Sequence, residues 1–102
     1  MLQLNVSSRF KRDLKLCQKR RLDIALLQKA VDTLRIPAPL PAKNRDHLLT
    51  GDYTGCRECH IQPDWLLIYR VAGEELYLVR TGTHADLFDL RTAGGQLKPQ
   101  PK

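Results

Sequence analysis

The second half of the chain concentrates side chains that are suited to cutting a phosphodiester bond. Cleavage of RNA without a metal needs a base for the 2′-hydroxyl proton, an acid for the leaving 5′-oxygen and a cation beside the phosphate. Histidine serves as acid or base near neutral pH, the arginine fork fits phosphate, and aromatic rings stack on bases. The residues of these types, with one acidic residue among them, are His47, His60, Asp64, Trp65, Arg80, His84 and Phe88.

Each of these residues also has an explanation that involves no chemistry. Trp65 is of a type usually found in the core, and Asp64 follows Pro63 in a predicted turn. A single histidine is most often a surface or structural residue, and Arg80 continues the apolar face of its predicted strand. Residue types and spacing alone therefore support an RNA-cleaving enzyme and a non-catalytic RNA-binding module equally.

The charge of the chain is unevenly distributed. The 102 residues carry a formal net charge of +6. Residues 1–46 hold eleven lysines and arginines against four acidic residues, whereas residues 47–102 hold six against seven. A basic excess predicts a polyanionic partner. The first half is thus a basic platform, and the candidate chemistry lies in the second half.

The spacing of apolar residues predicts the elements that must position these side chains. Alternation over residues 2–6 predicts a strand, and apolar residues every three to four positions predict a helix over 9–20 and a second one between Asp23 and Pro37. Three strands follow, over residues 56–61, 65–71 and 75–81. The predicted fold class is α+β, in the order β-α-α-β-β-β, with both helices on one face of an antiparallel sheet and the other face open.

Length and composition predict a single domain over residues 1–90. The longest apolar run, residues 65–69, is far shorter than the ~20 residues of a membrane-spanning helix. The first residues lack the features of a secretion signal, and three cysteines, an odd number, do not suggest a set of disulfide bonds. We therefore expect a cytoplasmic protein without a membrane partner. Residues 91–102, interrupted by glycine and proline, are expected to form a flexible tail.

The segment from Cys56 to His60 matches C-x-x-C-H, the signature of covalent haem attachment, and half of a zinc site. Both uses need the two sulfurs to converge. In a strand, residues three apart point to opposite faces, and the Cα atoms of Cys56 and Cys59 would lie ~10 Å apart. We therefore expect ordinary strand cysteines, no metal and no cofactor.

The same strand alternation sorts the neighbouring residues. If Ile61 faces the core, then Glu58 and His60 face the open side of the sheet, where a substrate reaches them. Arg57 then points inward, which is unfavourable for a charge unless a bulge or the sheet edge frees it. Arg57 is therefore kept only as a candidate phosphate contact.

Two short strings of residues carry the strongest likeness to a known family. They read H-x-x-P-D-W-x-L-I-Y from His60 and R-T-G-T-H-x-x-L-F from Arg80. In these strings, in residues 45–51, and in order and spacing over about residues 8–88, the chain resembles the YafQ branch of the RelE-type toxins of bacterial toxin–antitoxin systems. The resemblance implies a RelE-like fold. It also implies that the family's functional positions fall on His47, His60, Asp64, Trp65, Arg80, His84 and Phe88.

By this resemblance the protein is an mRNA endoribonuclease that acts without a metal in the A site of the translating 70S ribosome. A cognate antitoxin with an acidic, partly disordered segment would wrap and silence it. The free toxin is expected to be a monomer, and the complex with the antitoxin a hetero-oligomer. A toxin of the same fold that poisons DNA gyrase, as the ParE type does, is the alternative. A pure inhibitor would not need an acid–base set.

The mechanistic hypothesis gives His84 the general-acid role and places Arg80 on the scissile phosphate. His60 or His47 would activate the 2′-hydroxyl, and the acid and base labels are exchangeable at this stage. Asp64 would orient a histidine and favour its charged form. The aromatic residues Trp65 and Phe88 would shape the base pocket.

The basic first helix is predicted to be a docking surface. Its cations suit ribosomal RNA, and equally an acidic antitoxin segment that folds on binding. The sequence does not rank the two uses. The candidate docking residues are Arg9, Lys11, Arg12, Lys15 and Lys19.

Overall fold

A computed structural model describes residues 1–88 of the protein. The predicted tail, residues 91–102, and the domain end at residue 90 lie outside the described residues. Two short 3₁₀ turns, Ala42–Asn44 and Gly51–Tyr53, interrupt the connection between the helices and the later strands. The regular elements are β1 (Gln3–Val6), α1 (Ser8–Lys19), α2 (Ile24–Arg35), β2 (His47–Leu48), β3 (Arg57–Gln62), β4 (Trp65–Ala72), β5 (Glu75–Gly82) and α3 (His84–Phe88).

The five strands form one sheet in the order β1-β5-β4-β3-β2. The strands from β2 to β5 pair antiparallel with their neighbours, as predicted from their short connections. β1 instead lies parallel to β5. The two helices carry the chain from β1 to β2 at the opposite edge of the sheet, and the antiparallel strands β2 to β5 then return to β1. The α+β class and the element order are confirmed, and β2 and α3 are additions to the prediction. Within residues 1–88, no helix combines the length and apolar character that crossing a bilayer requires.

Side-chain caps begin both long helices where the sequence predicts. The Ser7 hydroxyl accepts a hydrogen bond from the backbone N–H of Phe10 over 2.9 Å, and the Asp23 carboxylate accepts one from Ala25 over 3.1 Å. Such caps satisfy backbone donors that the first helical turn leaves unpaired. The helices then bury Phe10 and Leu27, among others, against one face of the sheet.

Strand β4 is buried on both faces. Trp65, Leu67 and Tyr69 pack in the cluster under the helices, whereas Leu66 and Ile68 pack in a second cluster on the opposite face. All five are 0–2% exposed. The second cluster contains Leu87 of α3 and is joined by residues of the loop before β3. The face that the sequence analysis left open is therefore largely covered, and what remains for a substrate is a cleft.

A β-bulge in β5 changes the face on which Arg80 lies. Tyr69 pairs with Leu78 and Ile68 pairs with Arg80, so Val79 is an extra residue in β5. Arg80 consequently stands opposite Ile68, on the cleft side of the sheet, and not on the Leu78 face where uninterrupted alternation would place it. The expectation that Arg80 continues the apolar face of its strand is thus wrong. A bulge adds one residue, so the side chains beyond it point to the faces opposite to those that simple alternation predicts.

Replacing Thr81 by valine should destabilise the fold by about 1–3 kcal/mol, because a buried hydrogen-bonding group would lose its partner. The Thr81 hydroxyl accepts from the indole N–H of Trp65 over 2.9 Å and donates to the carbonyl of Leu66 over 2.7 Å, and Thr81 is 1% exposed. Urea unfolding followed by tryptophan fluorescence measures the loss. Thr33→Val, at an exposed helical hydroxyl, is the matched control and should change stability by less than about 0.5 kcal/mol. Equal stability of the two variants would contradict this account.

Candidate active site

All three histidines of the chain line one cleft. The cleft has a volume of about 440 Å³ and lies between the β2 segment, β3 and α3. A buried carboxylate, Glu58, forms part of its wall. The remaining lining is polar or apolar without a full charge. The lining residues are His47, Leu48, Leu49, Thr50, Glu58, His60, His84 and Phe88.

Strand pairing brings His60 and His84 together. Leu66 of β4 is paired with His60 on one side and with Gly82 on the other. α3 begins two residues after Gly82, so its first residue, His84, lies beside the end of β3. The two imidazole centroids are 5.8 Å apart, with their planes at 65°. At this spacing both rings can reach oxygens of a single phosphodiester group.

Asp64 fixes the orientation of His84. One carboxylate oxygen, Oδ1, lies 2.7 Å from Nδ1 of the His84 ring and 3.0 Å from the backbone nitrogen of the same residue. Because an ionised carboxylate only accepts hydrogen bonds, Nδ1 carries a proton and Nε2 is left for proton exchange. The backbone N–H and then the ring of His84 lower the pKa of Asp64. The contact expected between Asp64 and a histidine is therefore present, and the histidine is His84.

His47 is held on both of its ring nitrogens. Nδ1 lies 2.8 Å from the carbonyl oxygen of Arg45, and Nε2 lies 3.3 Å from the Glu58 carboxylate. Both neighbours are hydrogen-bond acceptors. Glu58 is 5% exposed and pairs with His47 across the sheet. It was not among the predicted site residues, although the strand register already placed it on the cleft face, and that register was the available signal.

His60 differs from the other two histidines in having no hydrogen bond to its ring from any residue that the structure describes. It is half-buried, and its backbone carbonyl accepts from the Asn44 side chain over 2.8 Å. The backbone of His60 is thus fixed while its ring nitrogens are available to a ligand.

α3 is held by contacts that converge on Asp86. The Asp86 carboxylate accepts from the Thr83 backbone N–H over 2.9 Å and pairs with Arg20 over 2.7 Å. The Thr83 hydroxyl accepts from the Asp86 backbone N–H over 3.1 Å, which completes a capping box. A Cβ at Gly82 would lie 2.8 Å from the Asp86 carboxylate, so glycine is needed there for the close approach. Phe88 then forms an aromatic wall of the cleft, edge-on to Tyr53 with 5.9 Å between centroids.

Arg80 is engaged in a buried ion pair and does not line the cleft. Its Nε and Nη2 atoms lie 2.7 and 3.0 Å from the two carboxylate oxygens of Asp13 in α1. Each side chain is 12% exposed, and the pair raises the pKa of Arg80 further above its usual range. β1 pairs with β5 only at residues 75–78. Beyond residue 78, Asp13 takes the place of a neighbouring strand by accepting a hydrogen bond from the backbone N–H of Thr81. The structure therefore joins Arg80 to α1 and not to the three histidines.

Trp65 and Arg57 also lie away from the cleft. Trp65 lies on the same face of β4 as Leu67 and is buried under the helices at 2% exposure. Its ring therefore cannot stack on a base in the cleft. Arg57 points inward, as the register analysis predicts, and its Nε lies 2.6 Å from Asp46, which also accepts from the Tyr69 hydroxyl. The expected substrate contacts of these two residues do not fit their places in the structure.

The two cysteines of the C-x-x-C-H segment lie on opposite faces of the sheet, as predicted. Cys59 is fully buried under the helices, and Cys56 packs against the cluster on the cleft side. Burial raises the pKa of the Cys59 thiol to about 12, so it stays protonated at neutral pH.

The outer surface of α1 is basic. Its five candidate docking residues are all exposed, and Asp13, the acidic residue of the helix, is turned toward Arg80. Among the residues described, none pairs with any of these five cations. They are Arg9, Lys11, Arg12, Lys15 and Lys19.

A mixed sheet covered by two helices on one face, with a histidine-lined cleft on the other, is the fold of the RelE-like toxins. The sequence model of the family described as "Bacterial toxin of type II toxin-antitoxin system, YafQ" matches residues 2–89. The chain therefore belongs to the YafQ family of bacterial toxins.

Individual relatives agree with this assignment. The chain is 45% identical over 92 residues to the mRNA interferase toxin YafQ of Escherichia coli K12, which covers 86% of this chain and 99% of that protein. The crystal structure of YafQ from E. coli BL21(DE3) matches with a TM-score of 0.82 at 39% identity, over 86% of this chain and 99% of that one. A chain of the E. coli DinJ-YafQ complex matches with a TM-score of 0.80 at 40% identity, over the same shares.

The Asp64 carboxyl should titrate below the 3.8 of an unperturbed aspartate, because it accepts from both the backbone and the ring of His84. This contact stabilises the fold at neutral pH, and its contribution is lost as the pH falls through the lowered pKa. Carboxyl ¹³C NMR titration measures the value. In His84→Ala the pKa should rise yet stay below normal, since the backbone N–H, the larger cause, remains. The neighbouring control Ala85→Ser should leave it unchanged, and a normal pKa in the wild type would refute the contact.

Proposed function

We propose that this protein is the toxin of a type II toxin–antitoxin pair and that it cleaves mRNA by attack of the 2′-hydroxyl on the adjacent phosphorus, without a metal. The observation that carries the proposal is the pair of imidazoles 5.8 Å apart, one of which is held through Nδ1 by Asp64. The relative named mRNA interferase toxin, at 45% identity, supports RNA as the substrate.

The geometry favours His60 as the base and His84 as the acid. The ring of His60, which no described residue hydrogen-bonds, takes the 2′-hydroxyl proton, and the 2′-oxygen attacks phosphorus. A 2′,3′-cyclic phosphate forms as the bond to the 5′-oxygen breaks. His84, whose ring Asp64 orients through Nδ1, donates its Nε2 proton to that oxygen. The two proton transfers balance, and the histidines exchange protonation states during one turnover.

His47 and Glu58 take a supporting role in this proposal. The His47 ring lies between two acceptors on the cleft wall, and its role is to help stabilise the phosphorane as negative charge builds on its oxygens. The buried Glu58 carboxylate keeps that ring in place across the β2–β3 pair.

The apolar side of the cleft suits a nucleobase. Phe88 and Leu49 line it, and Tyr53 supports the Phe88 ring from the side. Stacking of a base on an aromatic side chain contributes about 1–3 kcal/mol and tolerates any base. Phe88 therefore takes over the stacking role that the sequence analysis shared between Phe88 and Trp65.

The exposed cations of α1 supply the docking surface. We infer that they bind ribosomal RNA, so that mRNA in the A site of the 70S ribosome is presented to the cleft. We also infer that an acidic segment of a cognate antitoxin competes for the same helix, in line with the complex of E. coli YafQ with DinJ. The free toxin is proposed to be a monomer in the cytoplasm and a hetero-oligomer when bound to the antitoxin.

The variant His84→Ala should lower mRNA cleavage by roughly 10²- to 10⁴-fold, the usual contribution of a general acid. Primer extension on an mRNA translated in vitro, with and without ribosomes, measures cleavage. The wild type should give codon-phased cuts only when ribosomes are present. The control Ala85→Ser, at the next and exposed position of α3, should cut like the wild type.

Two outcomes would contradict this proposal. Unchanged cuts by a folded His84→Ala would remove the acid role. Intact mRNA with unimpaired translation in every lane would favour the gyrase-inhibiting alternative. Circular dichroism and antitoxin binding of His84→Ala, both expected to match the wild type, separate loss of chemistry from loss of fold.

A further inference from the structure

The cleft lacks the strong cation that an RNA phosphate needs. Neither lysine nor arginine is among its lining residues, and the buried Glu58 adds negative charge. Arg80, the expected phosphate ligand, has two of its nitrogens on Asp13. A polyanionic strand that enters the cleft must find its counter-charge nearby.

A second cavity adjoins the cleft at His60. It has a volume of about 520 Å³ and shares His60 with the cleft, so the two cavities meet at this residue. Its wall includes Lys43 and Arg45 and no acidic residue. The lining residues are Leu26, Lys43, Asn44, Arg45, His60, Ile61, Gln62 and Pro63.

The backbone around Lys43 and Arg45 is fixed next to His60, while their charged groups form no ion pair with any residue that the structure describes. The Asn44 side chain donates to the His60 carbonyl over 2.8 Å, which ties the turn to β3. Lys43 and Arg45 are both exposed, and within residues 1–88 no carboxylate pairs with either. They are therefore available to an anionic ligand.

Arg45 occupies a backbone conformation that favours glycine. Its φ and ψ angles are 48° and 47°, in the left-handed region, where a Cβ costs about 1–2 kcal/mol. This conformation directs the Arg45 carbonyl to Nδ1 of His47 over 2.8 Å. Glycine would provide the same carbonyl with less strain, so the backbone alone does not account for arginine here. Strained residues that persist in this way are concentrated at functional sites.

We propose that Lys43 and Arg45 form a binding subsite for an RNA phosphate next to the scissile one. This inference rests on the proposed function and extends it, since it gives the substrate strand a path past His60 and a counter-charge that Arg80 does not supply. The subsite recognises the phosphate charge and not the base.

This subsite is tested by combining the variant Arg45→Gly with an mRNA in which one phosphate is made neutral, and by comparing the two single changes with the double change. The substrate is an mRNA with a neutral methylphosphonate placed in turn immediately 5′ or 3′ of the cleavage site, presented under the ribosome-containing conditions of the primer-extension assay. For the wild type, one of the two positions should slow cleavage on the order of tenfold, as expected for a lost charge-assisted contact. The variant Arg45→Gly keeps the left-handed turn and the carbonyl. For this variant, a methylphosphonate at the same position should not slow cleavage any further.

Arg21 provides a matched control. It is an exposed arginine in the same left-handed conformation, with φ of 61°, at the end of α1 and away from both cavities. Arg21→Gly should keep the full wild-type sensitivity to the methylphosphonate. If Arg45→Gly cuts too slowly to measure, Lys43→Gln replaces it in this comparison and should show the same loss of sensitivity.

The subsite and the proposed function fail differently. If the wild type cuts the natural mRNA but Arg45→Gly and Lys43→Gln keep the full methylphosphonate effect, or if neither position affects the wild type, the subsite is refuted. If the wild type does not cut at all, the proposed function fails first.

Discussion

The site is arranged around a strand that is buried on both faces. Residues 65–69 of β4 are at most 2% exposed, and each such side chain contributes on the order of 1.5–3 kcal/mol by leaving water. β3 and β5 flank this strand in fixed register, so Leu66 lies between His60 and Gly82. A slip of β3 by one residue would turn His60 and Glu58 into the helix-side core, where unpaired polar groups are costly. The spacing of the His60 and His84 imidazoles is thus a consequence of core packing.

Carboxylates orient two of the arginines and two of the histidines around this frame. Asp13 binds Arg80 and Asp86 binds Arg20, and both contacts connect α1 to β5 or α3. Asp64 and Glu58 hold two of the histidines. The inner side of α1 is therefore neutralised while its outer side stays basic. One helix thus packs against the strands and α3 beside the cleft and still exposes its positive charge on the outer side.

The sequence predicted the fold better than the site. Alternation and caps were sufficient for the two helices and for β3, β4 and β5, because these elements bury continuous apolar stripes. β2 has only two residues and α3 only five, too few for a periodic signal, although Thr83 and Asp86 have the spacing of a capping box.

Two of the predicted site residues, Arg80 and Trp65, lie away from the cleft. The bulge at Val79 moved Arg80 to another strand face, and its pairing with Asp13 depends on a helix that lies 67 positions earlier in the chain. Trp65 was assigned a stacking role from its residue type. The alternation of side chains along a strand, which correctly placed Arg57 and Glu58, would have placed Trp65 on the helix side of the sheet. The three histidines line one cleft and Asp64 contacts His84, which agrees with the set of positions that the family resemblance implied.

If two imidazoles cleave RNA through its own 2′-hydroxyl, the chemistry of the product ends reports this directly. Cleaved mRNA should carry a 2′,3′-cyclic phosphate or its 3′-phosphate hydrolysis product and a 5′-hydroxyl, in the presence of EDTA, and a 2′-deoxy residue at the cleavage position should abolish the cut. A 3′-hydroxyl with a 5′-phosphate, or undiminished cleavage of the 2′-deoxy substrate, would contradict the account.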